Sequence, residues 1–303
     1  MEIVRIEVSG RLPKSSFFPT VNVYLLVEGS HGLLIDAGYG LRRALWRILD
    51  AVKRHGVHVE RLVITHGHVD HFSGARELRR RLGCVVMAHE ADEPYIRSPS
   101  RLLAEDPFFS GSWWSRGLGY ASLKLLAGLA PTPVDETLRD GDRLRLVDGE
   151  LRVVHTPGHT EGHICLLEED RGILFTGDHV IEGGVSWILP PRGDAGKYVE
   201  SLRRIASLPA RLILPGHGNP MDKPREVIRD RLSRVAAREE AILNVLETGP
   251  MGEEQLLTGL WAGNPLRRML ARPVLRAHLS RLVGDGLVEI RWVGGRRVYR
   301  RTG

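Results

Sequence analysis

Short apolar runs recur along the first two thirds of the chain, and each ends in a turn that carries an aspartate or a histidine beside a glycine. Leu33-Leu34-Ile35 leads into Asp36-Ala37-Gly38, and Leu62-Val63-Ile64-Thr65 into His66-Gly67-His68-Val69-Asp70-His71. Leu151 to Val154 precedes Thr156-Pro157-Gly158-His159; Leu174-Phe175 precedes Thr176-Gly177-Asp178-His179; Leu212-Ile213-Leu214 precedes Pro215-Gly216-His217. Runs this short, bounded by turn residues, predict buried strands. Glu2-Ile3-Val4-Arg5-Ile6 alternates and predicts another strand.

From residue 225 the period changes. Val227, Ile228, Leu232, Val235, Ile242, Leu243 and Leu246 recur at helical spacing over 225–247, and Gly249-Pro250 ends that helix. Glu253 to Trp261 predicts a second, short helix. Pro273 is expected to open a third, with Val274, Leu275, His278, Leu279 and Leu282 on one face and Gly284-Asp285-Gly286 as its stop. Leu287–Val293 and Arg296–Arg301 then predict two strands around Gly294-Gly295, a dipeptide suited to a tight hairpin.

The strand-end turns carry the chemistry. Glycine lets backbone approach an ion closely, and loops at one sheet edge can gather side chains from distant sequence. In an extended chain His66 and His68 point the same way, while the following turn swings Asp70 and His71 toward a neighbouring position. One strand end could therefore serve two adjacent metal ions. Imidazole with carboxylate suits zinc, and also iron or manganese.

Taken in order, Asp36, His66, His68, Asp70, His71, His159, Asp178 and His217 resemble the motif set of the metallo-β-lactamase superfamily, over roughly residues 15–220. The resemblance implies an α+β fold, a four-layer αβ/βα sandwich with a two-metal site where the sheets meet. It implies that His66, His68 and His159 hold one metal, that Asp70, His71 and His217 hold the second, and that Asp178 bridges them. Two zinc ions are the expected cofactor, with iron or manganese as alternatives. Such a pair can share a hydroxide and stabilise attacking and leaving oxygens, giving a nucleophile at neutral pH. Asp70 is expected to orient that hydroxide and Asp36 to fix the tautomer of a ligand histidine. His163 belongs to the pattern as a supporting residue. His179 is expected either to approach substrate as a proton donor or simply to pack.

Composition and charge then bound the reading. A chain of 303 residues suits one large domain and a small one, expected at 1–224 and 225–303. Cys84 and Cys165 lie in apolar runs and read as buried free thiols. The first residues form a strand rather than a signal peptide, and no apolar run approaches a membrane span, so a cytoplasmic protein without membrane attachment is expected. The net charge is +6, and residues 225–303, with 15 arginines against nine acids, account for all of it. Helix, helix, helix and hairpin resemble a winged helix. The combination resembles the lactamase-beta-2-like branch of the superfamily, whose characterised members include an endoribonuclease.

Two function classes follow. Arg276 on the third helix and Arg296 and Arg297 at the hairpin, with Arg281, Arg300 and Arg301, suit phosphate contacts, so a phosphodiesterase acting on single-stranded RNA is the first expectation. A hydrolase of small esters, thioesters or lactones is the alternative, its tail then serving homodimer contacts. A non-catalytic binding module is a third class. Residues 93–133 hold six of the chain's 18 aromatics. They are expected to form a lid-like insertion, with Phe108, Phe109 and Trp113 touching substrate and the Trp187–Arg192 loop as the opposite wall.

Overall fold

The computed structural model describes residues 1–11, 19–105, 113–261 and 265–303, with backbone alone at 113–115, 265 and 266. Strands β1 (Glu2–Ser9), β2 (Thr20–Glu28), β3 (His31–Ile35), β4 (His58–Ile64), β5 (Val85–His89) and β6 (Glu136–Leu138) form one sheet in that order. β1 to β3 are antiparallel neighbours, and β3 to β6 are parallel. Parallel neighbours need crossovers. These are α1 (Arg42–His55), then α2 (Val69–Phe72) with α3 (Ala75–Leu82), then α4 (Glu93–Arg97), α5 (Pro99–Glu105) and α6 (Trp113–Ala127). The second sheet holds β7 (Arg143–Arg145), β8 (Glu150–His155), β9 (Ile164–Glu168), β10 (Ile173–Gly177) and β11 (Leu212–Pro215), with only β10 and β11 parallel. α7 (Ala195–Ala206) links those two.

The period of two along each strand sorts side chains into layers. Val21, Val23 and Leu25 of β2 pack with Ile48 of α1 and Leu78 of α3. Their alternates Tyr24 and Leu26 face the second sheet and pack with Leu166, Phe175 and Leu214, Tyr24 and Phe175 meeting edge to face at 5.3 Å. Beyond that sheet Cys165, Leu167 and Ile213 pack against Tyr198 and Leu202 of α7. The order is helices, sheet, sheet, helices. Both cysteines are buried and free. The described part of 93–133 enters the first core through Ile96, Leu102, Ala127 and Leu129. Among the described residues no helix is long and apolar enough to cross a membrane.

At one edge the sheets are stitched together. Thr65 O accepts from Ile164 N at 2.9 Å, and Gly216 O accepts from Asn22 N at 2.7 Å. The turns after β3, β4, β10 and β11 meet there.

The last quarter contains α8 (Pro224–Leu246), α9 (Glu253–Leu260), α10 (Pro265–Gly284), β12 (Val288–Val293) and β13 (Arg296–Arg301). Gly294 and Gly295 have φ of 56° and 74°, the left-handed pair that a two-residue hairpin turn requires. The third helix does not open at Pro273: it begins at Pro265, and Pro273 lies within it. Pro265 at a helix start forfeits no helical hydrogen bond, whereas Pro273 removes one. Burial of Leu275, Leu279 and Leu282 beside Ile242, Leu246 and Tyr299 carries the helix through. This region is not a free appendage. Ile228 and Val235 of α8 and Ala277 of α10 join the core around Tyr198. Within the region, Glu239 of α8 accepts from Arg281 at 2.7 and 2.8 Å and bonds His278 at 3.0 Å.

Candidate metal centre

Two groups of donor atoms converge at the stitched edge. His66, His68, His159 and Asp178 form one; Asp70, His71 and His217 form the other; within each, the donor atoms lie within 4.8 Å of one another. The local sequence explains the split. His66 stands two residues past the end of β4, and His68 is the extended N-cap of α2, so both stay on the side of the first group. The turn of α2 then sends Asp70 and His71 to the second. His159 comes from the Pro-Gly turn after β8, Asp178 from the end of β10, and His217 from the end of β11. Gly216 is required here, because a Cβ on it would stand 2.5 Å from Asp178 Oδ1 and 2.8 Å from His71 Cε1.

In the first group, His159 Nε2 lies 3.2 Å from His66 Nε2 and 2.8 Å from His68 Nδ1. In the second, His217 Nε2 lies 3.3 Å from both His71 Nε2 and Asp70 Oδ2. Asp178 stands between them. Its Oδ2 is 3.2 Å from His217 Nε2 and 3.8 Å from His159 Nε2, and its Oδ1 is 3.2 Å from His71 Nε2. Oδ1 is buried and has no aligned hydrogen-bond donor.

The outward ring nitrogens of His71, His217 and His159 are engaged, which turns their other nitrogens inward. His71 Nδ1 donates to Asp36 Oδ2 at 2.7 Å, His217 Nδ1 to Thr20 O at 2.7 Å, and His159 Nδ1 to Trp187 O at 2.7 Å. Asp36 also accepts from Thr65 N and Thr65 Oγ1, and its φ of 62° is the one left-handed non-glycine backbone among the described residues. Asp36 thus holds both the end of β4 and the His71 ring, the placement the motif order implies. His163 Nε2 accepts from Asp178 N at 3.2 Å, and its other nitrogen bonds Thr156.

The electrostatics fit a cation. Burial, and then the neighbouring imidazoles, hold His66 and His68 well below the usual histidine range, so these rings are neutral. Burial also opposes charge on His71 and His217, yet Asp178 and its neighbouring carboxylates outweigh it: His71 is held well above its ordinary value and His217 is pushed to about 10. Burial raises Asp70, but His71 and His217 bring it down to about 2. Unprotonated nitrogens that converge at 2.8–3.2 Å have nothing of their own to share. Nitrogens bound to one tetrahedral zinc at about 2.0–2.1 Å would lie about 3.3 Å apart, so the spacing suits an ion. The donor set is nitrogen and carboxylate, which suits zinc, iron or manganese.

Other expected site residues fall differently. His179 is fully buried against Tyr198, neither ring nitrogen has a hydrogen-bond partner, and burial pushes its pKa down to about 3. A buried neutral ring cannot hand a proton to substrate, so the packing alternative fits it. Phe108 and Phe109 lie outside the described residues. Trp113 begins α6, and its side chain is likewise outside the description. Arg276 is bound by Glu253 at 2.8 and 3.0 Å, and Arg297 lies over the Tyr299 ring at 5.0 Å. Arg281 pairs with Glu239, Arg300 with Glu289 and Arg301 with Glu247; Arg296 opens β13 exposed.

One residue that matters, Asp92, was not singled out in the sequence, and a second, Arg192, was named only as the end of the expected wall loop. Asp92, fully buried, accepts from Gly67 N at 2.6 Å, Thr160 Oγ1 at 2.6 Å and Gly162 N at 3.1 Å. It clamps the His66–His68 turn to the turn that carries His159. Arg192 lies 3.7 Å from Asp92, donates to Gly67 O at 3.2 Å and covers the Tyr95 ring at 4.4 Å. Asp92 stands among Glu90 and Glu93, so it reads as part of a solvated acidic run. Only the tertiary fold reveals it.

The family model of the metallo-beta-lactamase superfamily matches residues 18–217. An atrochrysone carboxyl ACP thioesterase from Aspergillus fumigatus is 25% identical over 308 residues, covering 96% of this chain and 85% of its own length. The crystal structure of a metallo-beta-lactamase family protein from Thermus thermophilus superposes with a TM-score of 0.79 at 26% identity, covering 99% of this chain and 98% of that one. A further solved protein, in a di-iron-bound form, is 26% identical with a TM-score of 0.53, covering 68% of this chain and 92% of that one.

Proposed function

Because the chain belongs to the metallo-beta-lactamase superfamily and is a metal-dependent hydrolase, we propose that it hydrolyses thioesters. The observation that carries the hydrolytic half is the pair of donor groups that share Asp178. The thioester half is supported by the relative named as an acyl-carrier thioesterase, which aligns along 96% of the chain. That relative favours the small-substrate alternative over single-stranded RNA. The internal pairing of Arg276, Arg281, Arg300 and Arg301 also removes much of the positive surface on which the RNA reading rested.

In this reading His66, His68 and His159 hold one ion, Asp70, His71 and His217 the other, and Asp178 both. Zinc is our assignment, with iron the alternative that the di-iron neighbour supports. When bound, the ions lower the pKa of water to about 7 and polarise the acyl carbonyl. Asp70 accepts a hydrogen bond from the attacking water and aims it at the acyl carbon. Asp36 and the Thr20 and Trp187 carbonyls keep the ligand rings in the tautomer that faces inward. Water adds to the acyl carbon and gives up a proton, the carbon–sulfur bond breaks, and the departing sulfur takes that proton, leaving a carboxylic acid and a thiol. We read 225–303 as a winged-helix unit whose role is architectural, including dimer contacts.

The test is turnover of purified protein on acyl thioesters, lactones and single-stranded RNA, with and without chelator. Chelator-sensitive release of thiol is expected. Cleavage of RNA with no thioester turnover would overturn the assignment.

A further inference from the structure

Helix α1 carries an exposed tryptophan inside a ring of cations. Trp46 is 63% exposed, among the largest apolar exposures on the described surface. Arg42, Arg43, Arg47 and Lys53 surround it on the same face, all exposed. Residues three and four apart on a helix are surface neighbours, so these side chains form one patch. The acid among them, Asp50, is held by Arg54 at 2.9 Å. The side chains of Arg42, Arg43, Arg47 and Lys53 have no hydrogen bond or ion pair among the described residues. Elsewhere the exposed arginines of the helices are commonly neutralised, as Arg80 and Arg81 are by Glu77.

Shallow grooves flank the tryptophan. One of about 440 Å³ runs between α1 and the edge strand β1, lined by Val4, Ile6, Trp46 and Arg47. Another of about 470 Å³ lies on the other side, lined by Leu45, Trp46, Leu49 and Arg81. Tryptophan and arginine are the side chains that carry most binding energy at protein interfaces. The opposite face of α1, with Ala44, Ile48 and Val52, is locked in the core, so the patch cannot be folding surface.

We infer that this face of α1 docks an acidic carrier protein that presents its acyl group as a thioester on a flexible arm. The inference rests on the thioester reading above and names the partner of that site. The cations without counter-charges call for a negatively charged partner and repel a second copy of the same face. The exposed indole between grooves calls for an apolar side chain at the centre of that partner. Placement supplies the link to catalysis. α1 begins six residues after Asp36, which holds His71. By chain length Trp46 therefore lies within about 30 Å of the metal centre, a span a long prosthetic arm can bridge.

The experiment compares one acyl group on three leaving groups: octanoyl on a bacterial acyl carrier protein, octanoyl-coenzyme A and octanoyl-N-acetylcysteamine. It uses full-length wild type, Trp46→Ala and the pair Arg43→Glu/Arg47→Glu. None of these residues touches the metal centre and all are exposed, and unchanged turnover of the small thioester checks that the variants fold. For the carrier-borne substrate we expect KM to rise by on the order of tenfold or more in each variant with kcat retained, and added salt to reduce the wild-type advantage. Turnover of the N-acetylcysteamine ester should be unchanged. Equal carrier KM in wild type and variants, with the small thioester still hydrolysed, overturns the docking face and leaves the thioester reading intact. No hydrolysis of any of the three overturns that reading and this inference with it. Salt-sensitive retention of single-stranded RNA or of anionic phosphatidylserine vesicles, lost in the same variants without a carrier effect, assigns the patch to another partner and also overturns the inference.

Discussion

Asp92 is the residue whose removal most directly tests how the metal centre is held. Its carboxylate takes hydrogen bonds from Gly67 N, Thr160 Oγ1 and Gly162 N, and faces the Arg192 guanidinium at 3.7 Å. Asp92→Ala leaves those donors buried without an acceptor and a buried cation without its neighbour. Hydrogen bonds to a charged group contribute about 1.5–3 kcal/mol each, and removing one member of a buried ion pair costs about 3–5 kcal/mol. These effects share one carboxylate and do not add, so a loss of about 4 kcal/mol is expected. For a chain of this size that lowers the Tm by about 6 °C. Asp92→Asn keeps the shape but turns an NH2 toward a donor, and should cost about 2 kcal/mol. The sharper consequence is local. Gly67 lies between His66 and His68, and Thr160 follows His159, so Asp92→Asn should weaken the three-histidine site about 10–100-fold, as supporting-shell losses do. Asp70, His71 and His217 touch none of those bonds. Stepwise chelator competition should therefore show one metal equivalent lost early and the other retained. Equal weakening of both equivalents, or wild-type affinity for both, would refute the clamp.

Metal analysis of protein purified without chelator should give about two equivalents per chain, and Asp178→Ala, which removes the carboxylate between the two groups, should lower both affinities; loss confined to one equivalent argues against a shared ligand. Metal uptake should release protons, because His71 is held well above the usual range and His217 at about 10, so the empty site carries protons that the ion must displace. Affinity then rises with pH, and calorimetry in buffers of different ionisation enthalpy should show the release; a buffer-independent enthalpy contradicts it. For chelated protein the sign follows from the raised pKa: stability from the charged His217 is full below its ordinary 6.5 and is lost as pH climbs through about 10, readable as a falling Tm. Glu239→Ala should destabilise the full chain by about 3–5 kcal/mol, since it strands Arg281 and His278 between α8 and α10; an unchanged unfolding midpoint would mean that these helices do not depend on that contact.

Four of the seven donor residues were legible in the sequence because their spacing is local; His159, Asp178 and His217 entered through their glycine turns and the family resemblance. His66, His68, Asp70 and His71 occupy six positions, and period two followed by a helical turn is enough to divide them between two sites. The strands were legible for a similar reason, as apolar runs stopped by glycine turns. Helix α10 was not, because proline normally breaks a helix, and only the burial of Leu275 and Leu279 beside α8 shows why Pro273 is tolerated. Asp92 was hidden because its partners lie 25 and 68 or more positions away. The tail arginines read differently in the fold for the converse reason. Their density is visible in the sequence, but Glu239, Glu247 and Glu253, which neutralise Arg281, Arg301 and Arg276, are brought to them only by folding.

The same contrast bears on where a charged partner can bind. Arginine count alone points to the tail, which carries the whole net charge. Pairing points instead to α1, where the cations around Trp46 keep no acid of their own. A guanidinium already held by carboxylate at about 2.8 Å must break that contact to accept another anion, whereas an unpaired one gives up only water. At a solvent-exposed surface the difference per charge is modest, about 0–1 kcal/mol. Across four side chains that surround one apolar anchor it is enough to select a face. The geometry therefore joins a hydrolytic edge, built from strand-end turns, to an uncompensated helix that begins at the same edge.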